Sequence, residues 1–228
     1  MSRRISPASR FNNSRWNRSP RSVFSPEWPC ERNNMSHDHE PHEFALTDVL
    51  EQRWSPRAFS RDEVLNQDTL GPAFEAARWS PSSGNSQPWS FVVGFRGDDV
   101  FQTIVGTMAS GNQVWAEHAG AVVANIAAVV DAEGKPQSHA IYDLGQAVAH
   151  FTVQATAQGL MVHQMGGFDA QTLGRELGIE SSQRVVTVMA VGSMGDPADL
   201  PEKLQEREAK PRERTPLSEI VGGSADYA

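Results

Sequence analysis

Cysteine is nearly absent from this chain. The single one, Cys30, has no internal partner, which excludes a disulfide scaffold. Long apolar runs are absent as well. The longest, Ala119–Val130, spans 12 residues and carries Asn125, against roughly 20 for a membrane-crossing helix. The signatures G-x-G-x-x-G, Walker A and G-x-S-x-G do not occur, so dinucleotide domains of the usual kind and serine hydrolases lose most of their support. A net positive charge is missing from the body. Residues 1–34 hold seven arginines against two acids and carry +5; the whole chain carries −8, so the remainder carries −13. An acidic body does not suit a phosphate-backbone binder, and neither nucleic acid nor membrane is an expected partner.

What is present is enough for one globular domain and a tail. The chain has 228 residues, 39% of them apolar, sufficient to bury a core. Residues 1–34 have no helical or alternating period and are rich in Arg, Ser, Asn and Pro, and a polar segment continues them, to make residues 1–43 one stretch. They are expected to form a disordered or weakly docked extension to a domain over 44–228. A transit peptide, a nucleic-acid-binding arm and a true start at Met35 compete as explanations, and the last is favoured. Pro7, Pro20, Pro26 and Pro29 break any amphipathic helix, and no apolar leader is present. A cytoplasmic protein is expected. His37, His39 and His42 match no closed zinc set, and no metal site is expected.

The body mixes helical and strand patterns without strict alternation, which indicates an α+β fold. Leu46, Val49 and Leu50 suggest a short helix ending near Arg53. Ser60 and Glu63 have capping-box spacing, and Leu70, Phe74 and Ala77 continue a helix that Pro72 can split. Trp89–Phe95 reads as a strand, Asp98–Met108 as a helix and Ala119–Val130 as a buried strand. Ile141, Leu144, Val148, Phe151 and Ala155 keep a helical period, with Gly159 as its C-terminal cap. Asp169 caps a short helix ended by Gly178, and Arg184–Val191 is another strand. From Pro197 onward the pattern is charged and irregular.

Four clusters carry polar groups suited to a ligand. In Arg53-Trp54-Ser55-Pro56-Arg57, an extended backbone sends residues 53, 55 and 57 to one side, a set fit for a phosphate dianion. Arg212 and Arg214 repeat the spacing by two and can close on the same anion, although solvated surface arginines are the bland alternative. The uncharged loop Pro81-Ser82-Ser83-Gly84-Asn85-Ser86-Gln87-Pro88 is dense in small donors and acceptors; a self-bonded turn is its alternative. Gln164-Met165-Gly166-Gly167 permits close backbone approach, or is a plain turn between helices. Trp115 either covers a pocket or lies in the core. Asp143 and His150 read as structural hydrogen-bonding residues.

In order, the segments R-W-S-P-R-A-F, A-A-R-W-S-P-S-S-G-N-S-Q-P-W, Y-D-L-G-Q-A, M-G-G-F-D and P-R-E-R-T-P-L resemble the FMN-dependent nitroreductase family over about Phe44 to Val221. The resemblance implies a central mixed, mainly antiparallel sheet flanked by helices, in an intertwined homodimer with two FMN sites at the subunit interface. It implies that Arg53, Ser55 and Arg57, with Arg212 and Arg214, hold the phosphate and ribityl chain. Trp54, Pro81 and Ser82 belong to the same segments. Asn85, Ser83 and Gln87 would lie along the flavin or ribityl, and Gln146 near the ribityl. Gln164, Met165, Gly166 and Gly167 would lie at the flavin edge, where a backbone N–H meets N5. NADH or NADPH would reduce the flavin, and a nitroaromatic or quinone would take the electrons in a ping-pong cycle that needs no catalytic side chain. A non-catalytic FMN carrier or sensor, and a specialised member such as a reductive dehalogenase, are the alternatives.

Overall fold

Four strands form one sheet: β1 (Trp89–Phe95), β2 (Ala121–Ala128), β3 (Met161–Met165) and β4 (Gln183–Gly192), in the order β1-β2-β4-β3. All three pairings are antiparallel. The structure, a computed structural model, describes His42 and residues 44–223. The expectation for residues 1–43 therefore lies, His42 apart, outside the described residues.

Strand β2 explains the layering. Val122, Ala124 and Ile126 face one core layer, with Phe101, Ile104, Trp115 and Leu173. Ala121, Val123 and Ala127 face the other, with Leu70, Leu144, Val148 and Phe151. Successive strand side chains point to opposite faces, so a strand covered on both sides reads as one apolar run. The helices α1 (Asp48–Gln52), α2 (Gln67–Arg78) and α5 (Ala140–Ala157) belong to one side. The helices α3 (Asp99–Gly106), α4 (Ser110–Ala116) and α6 (Ala170–Glu176) belong to the other. Helices α7 (Glu202–Glu208) and α8 (Leu217–Ile220) end the described chain. Among the described residues, no helix is long and apolar enough to cross a membrane.

The caps follow local chemistry in most places. The Asp98 carboxylate accepts the Phe101 N–H at 2.6 Å and starts α3. The Asp169 carboxylate accepts the N–H groups of Gln171 and Thr172 and starts α6. Helix α5 ends in a Schellman turn. Gly159 has φ +81, its N–H bonds the Thr156 carbonyl, and the Leu160 N–H bonds the Ala155 carbonyl, as a left-handed glycine cap requires.

The expected capping box is not formed. Helix α2 starts at Asn66, whose Oδ1 accepts the Thr69 N–H at 3.0 Å. Glu63 is drawn away instead, and its Oε2 accepts the Ser193 N–H at 2.7 Å. Helix α2 also runs unbroken through Pro72. Gly71 precedes it and offers no Cβ to the pyrrolidine ring. Four helices and strands go beyond the sequence reading: α4, β3, α7 and α8. Gln164 and Met165 end a strand rather than opening a loop between helices.

Candidate active site

Residues 53–57 alternate in burial. Trp54 and Pro56 are buried, Ser55 is exposed, and Arg53 and Arg57 are half-buried, which is the one-sided display expected of an extended segment. The last carbonyls of a helix lack intrahelical donors, and Arg212 supplies them here. Its two terminal nitrogens donate to the carbonyls of Arg53 at 2.8 Å and Glu51 at 3.0 Å. The chain after α7 is thereby fastened to the end of α1.

This contact gathers positive charge. Burial, then the charges of Arg214 and Arg212, pull the Arg53 guanidinium below the usual arginine range. Burial and Arg214 do the same to Arg212, against a smaller opposing effect of Glu51. Arg214 is exposed and donates to the Glu213 carbonyl. Among the described residues, none of these three arginines forms an ion pair with a carboxylate. Like charges held together in a partly buried place favour an anion between them.

Arg57 stands apart from the trio. Its guanidinium donates to Glu208 Oε1 and its main-chain N–H to Glu208 Oε2, both at 2.9 Å. Glu208 is 5% exposed. Sequence reading missed it because α7 looks like a solvated charged helix, and Glu208 is its one buried residue.

The polar loop is held in an uncommon backbone shape. Gly84, Asn85 and Gln87 have φ of 59, 56 and 47. Left-handed geometry is tolerated by asparagine but is uncommon for glutamine, and such outliers gather at ligand sites. The turn is partly self-bonded: the Gln87 N–H donates to Ser82 Oγ at 3.0 Å and its side-chain amide to the Asn85 carbonyl. Helix α5 braces it. Asp143 Oδ2 accepts the Ser83 N–H at 3.1 Å, and His150 Nδ1 shares a 2.7 Å hydrogen bond with Ser80 Oγ, so Asp143 and His150 hold the loop. Pro81, Ser83, Asn85 and Gln87 remain exposed, and Ser82 and Gln146 of α5 are half-buried.

At the other edge, β3 ends in an open turn. Gly166 and Gly167 are exposed, and space is free where a Cβ would stand on Gly166. Gln164 is exposed and its amide donates to Thr152 Oγ1 of α5 at 3.3 Å. The Met165 side chain lies in the core. His163, on the same strand, was not singled out from sequence. Its Nδ1–H donates to the Pro56 carbonyl at 2.9 Å, tying the strand to the arginine segment. Its ring lies 4.5 Å from that of Trp115, and Trp115 is a core residue, 1% exposed.

The structure thus brings the arginine segment and the Arg212–Arg214 segment together and, through His163, ties strand β3 to them. The polar loop enters β1 at the opposite edge of the sheet, three strand spacings or about 14 Å across.

The chain belongs to the nitroreductase family, whose model matches residues 50–193, and the family is one of oxidoreductases. Among its relatives, an uncharacterised 15.4 kDa protein of Mycolicibacterium smegmatis is 32% identical over 58% of this chain and 92% of its own length. The oxygen-insensitive NAD(P)H nitroreductase of Salmonella typhimurium is 26% identical, over 64% and 88%. A crystal structure described as an oxidoreductase containing FMN superposes with a TM-score of 0.77 at 30% identity, covering 83% of this chain and 96% of the other. A protein of Exiguobacterium sibiricum solved in complex with FMN gives 0.65 at 20% identity, over 79% and 99%, a likeness of fold.

Proposed function

We propose that this protein is an FMN-dependent oxidoreductase that takes electrons from NADH or NADPH and passes them to nitroaromatic, quinone or related acceptors. The observation that carries the reading is the trio Arg53, Arg212 and Arg214, gathered by the Arg212 bonds to the end of α1 and, among the described residues, paired with no carboxylate. The donor set fits FMN. A phosphate dianion matches clustered guanidiniums. Ser55, Asn85 and Gln87 suit a hydroxylated chain and an amide-like ring edge, and Gly166 and Gly167 allow main-chain approach to a flat ring.

Bound FMN would supply the hydride and electron chemistry itself, serving donor and acceptor in turn. The residues bind and orient. Arg53 and Arg214 would hold the phosphate, while Arg212 spends two of its donors on the α1 carbonyls and so sets the position of Arg53. Arg57 would act from beside the site, its charge balanced by Glu208.

The two polar groups of residues lie at opposite edges of the sheet, and this supports a homodimer with two sites at the subunit interface. The arginines and glycine turn of one copy would meet the Ser82–Gln87 loop of the other. The test is the visible spectrum of the purified protein and the mass of any released cofactor, followed by NADH and NADPH oxidation with quinones and nitroaromatics. A colourless protein that takes up no added FMN overturns the reading. FMN bound without turnover of either nicotinamide leaves a carrier.

A further inference from the structure

The turn at Gly166–Gly167 is held from outside by α4. The Gly167 carbonyl accepts two hydrogen bonds, from the Ala109 N–H at 2.8 Å and from Asn112 Nδ2 at 3.2 Å. The flanking chain is tied to the same segment, since the Asp169 N–H donates to the Thr107 carbonyl at 2.8 Å and Phe168 bridges to Met108. The turn is also tight within itself, with the Phe168 N–H on the Gly166 carbonyl. The two donors hold the Gly167 carbonyl, whose peptide plane carries the Phe168 N–H; that N–H bonds the Gly166 carbonyl and so restrains the next plane, the one that carries the Gly167 N–H.

Clearance gives a second, independent observation. A Cβ on residue 167 would stand 3.0 Å from Asn112 Nδ2. The two positions therefore fit as a pair: the asparagine amide occupies the space that a side chain at 167 would need. Gly166 next to it has open space. The turn is thus held on the α4 side and open at Gly166.

We propose that Asn112 is a positioning residue for the flavin, acting through the Gly167 carbonyl and the Phe168 N–H bond to Gly166 to aim the Gly167 main-chain N–H at the ring. The inference rests on the FMN reading above. Ring N5 accepts a hydrogen bond freely only while the flavin is oxidised, because the reduced ring carries its own hydrogen there. A well-aimed N–H therefore favours the oxidised form, and a loosened one gives up that preference.

The test is the midpoint potential of bound FMN in wild type, Asn112→Leu and Asn112→Ala. Both substitutions remove the donor without adding charge, and the first keeps much of the volume. The variants are expected to retain FMN and to bind reduced over oxidised flavin at least tenfold better relative to wild type, a rise of about 30 mV for a two-electron couple. Asn66→Ala, which weakens a remote helix cap, should leave the potential unchanged. Gly167→Ala displaces the Asn112 amide from the other side and should shift the potential the same way, so it carries the test if the Asn112 variants do not fold. Unchanged potentials in variants that hold FMN overturn the proposal while leaving the cofactor reading intact. A wild-type protein that binds no FMN removes both.

Discussion

Glu208 grips Arg57 twice, taking its main-chain N–H and its guanidinium at 2.9 Å each across 151 positions of sequence. The carboxylate is nearly inaccessible and the guanidinium only partly exposed. Glu208→Ala should therefore destabilise the fold by about 3 kcal/mol, as expected when one partner of a buried pair is removed. Urea unfolding measures this. The same variant should lose affinity for FMN, because α7 leads directly into the segment bearing Arg212 and Arg214.

Arg53→Ala or Arg214→Ala should act in the opposite sense on fold and cofactor. Each removes charge-assisted bonds to an anion, a loss of about 2 kcal/mol or roughly thirtyfold in FMN affinity. Each also relieves repulsion within the trio, so the stability of the FMN-free protein should not fall. Fluorescence titration with FMN and unfolding of the apoprotein are the two measurements. Unchanged FMN affinity in both variants would remove the phosphate assignment.

A shared site makes a prediction about mixtures. Arg53→Ala and Asn85→Ala should each impair FMN binding alone. In a mixed dimer of the two, one interface would combine unaltered arginines with an unaltered loop. Co-expressed variants should thus recover part of the FMN content. No recovery in purified mixed dimers would mean that each copy builds its own site.

His163 should make stability depend on pH. Burial, with a further contribution from the Arg57 charge, lowers its pKa below the ordinary 6.5, although its bonds to the Pro56 and Ser55 main chain and the Glu208 charge oppose this. The unfolded chain then binds the proton more readily than the folded one, so stability is full above 6.5 and falls as pH drops below it. His118 shifts in the same direction, through burial and Arg61. His163→Gln should flatten the pH dependence of unfolding below 6.5, and urea midpoints at pH 5 and 7.5 measure the change.

The cap of α2 separates two local signals. Asn66→Ala should cost about 1 kcal/mol, the usual value for a lost N-cap. The Ser60 hydroxyl has only a 3.4 Å contact with the Asp62 N–H, so Ser60→Ala should change stability by a few tenths at most. Thermal unfolding of the two variants distinguishes them.

Elements with a long apolar period were legible in the sequence. Helix α5, strand β2 and strand β4 lie where their patterns put them, and the glycine at 159 has the backbone its place requires. Elements whose order comes from partners far along the chain were not. Strand β3 carries polar His163 and Gln164 at a sheet edge. Helix α7 shows four charges outward for its one buried carboxylate. Glu63 matched a local motif yet answered to Ser193. The arginine cluster could be drawn from spacing, but the separate engagement of Arg57 depended on a residue 151 positions away.

Helix α5 meets both functional edges through Asp143, which holds the polar loop, and Thr152, which receives Gln164 from β3. At 1.5 Å per residue these attachment points stand about 13.5 Å apart along the axis. The helix is therefore a gauge block between the polar loop and strand β3. One inserted residue between 143 and 152 would turn the second attachment by about 100° and leave the helix whole but the gauge wrong. Length is expected to be least negotiable there, even where the residue types on its outer face are free to change.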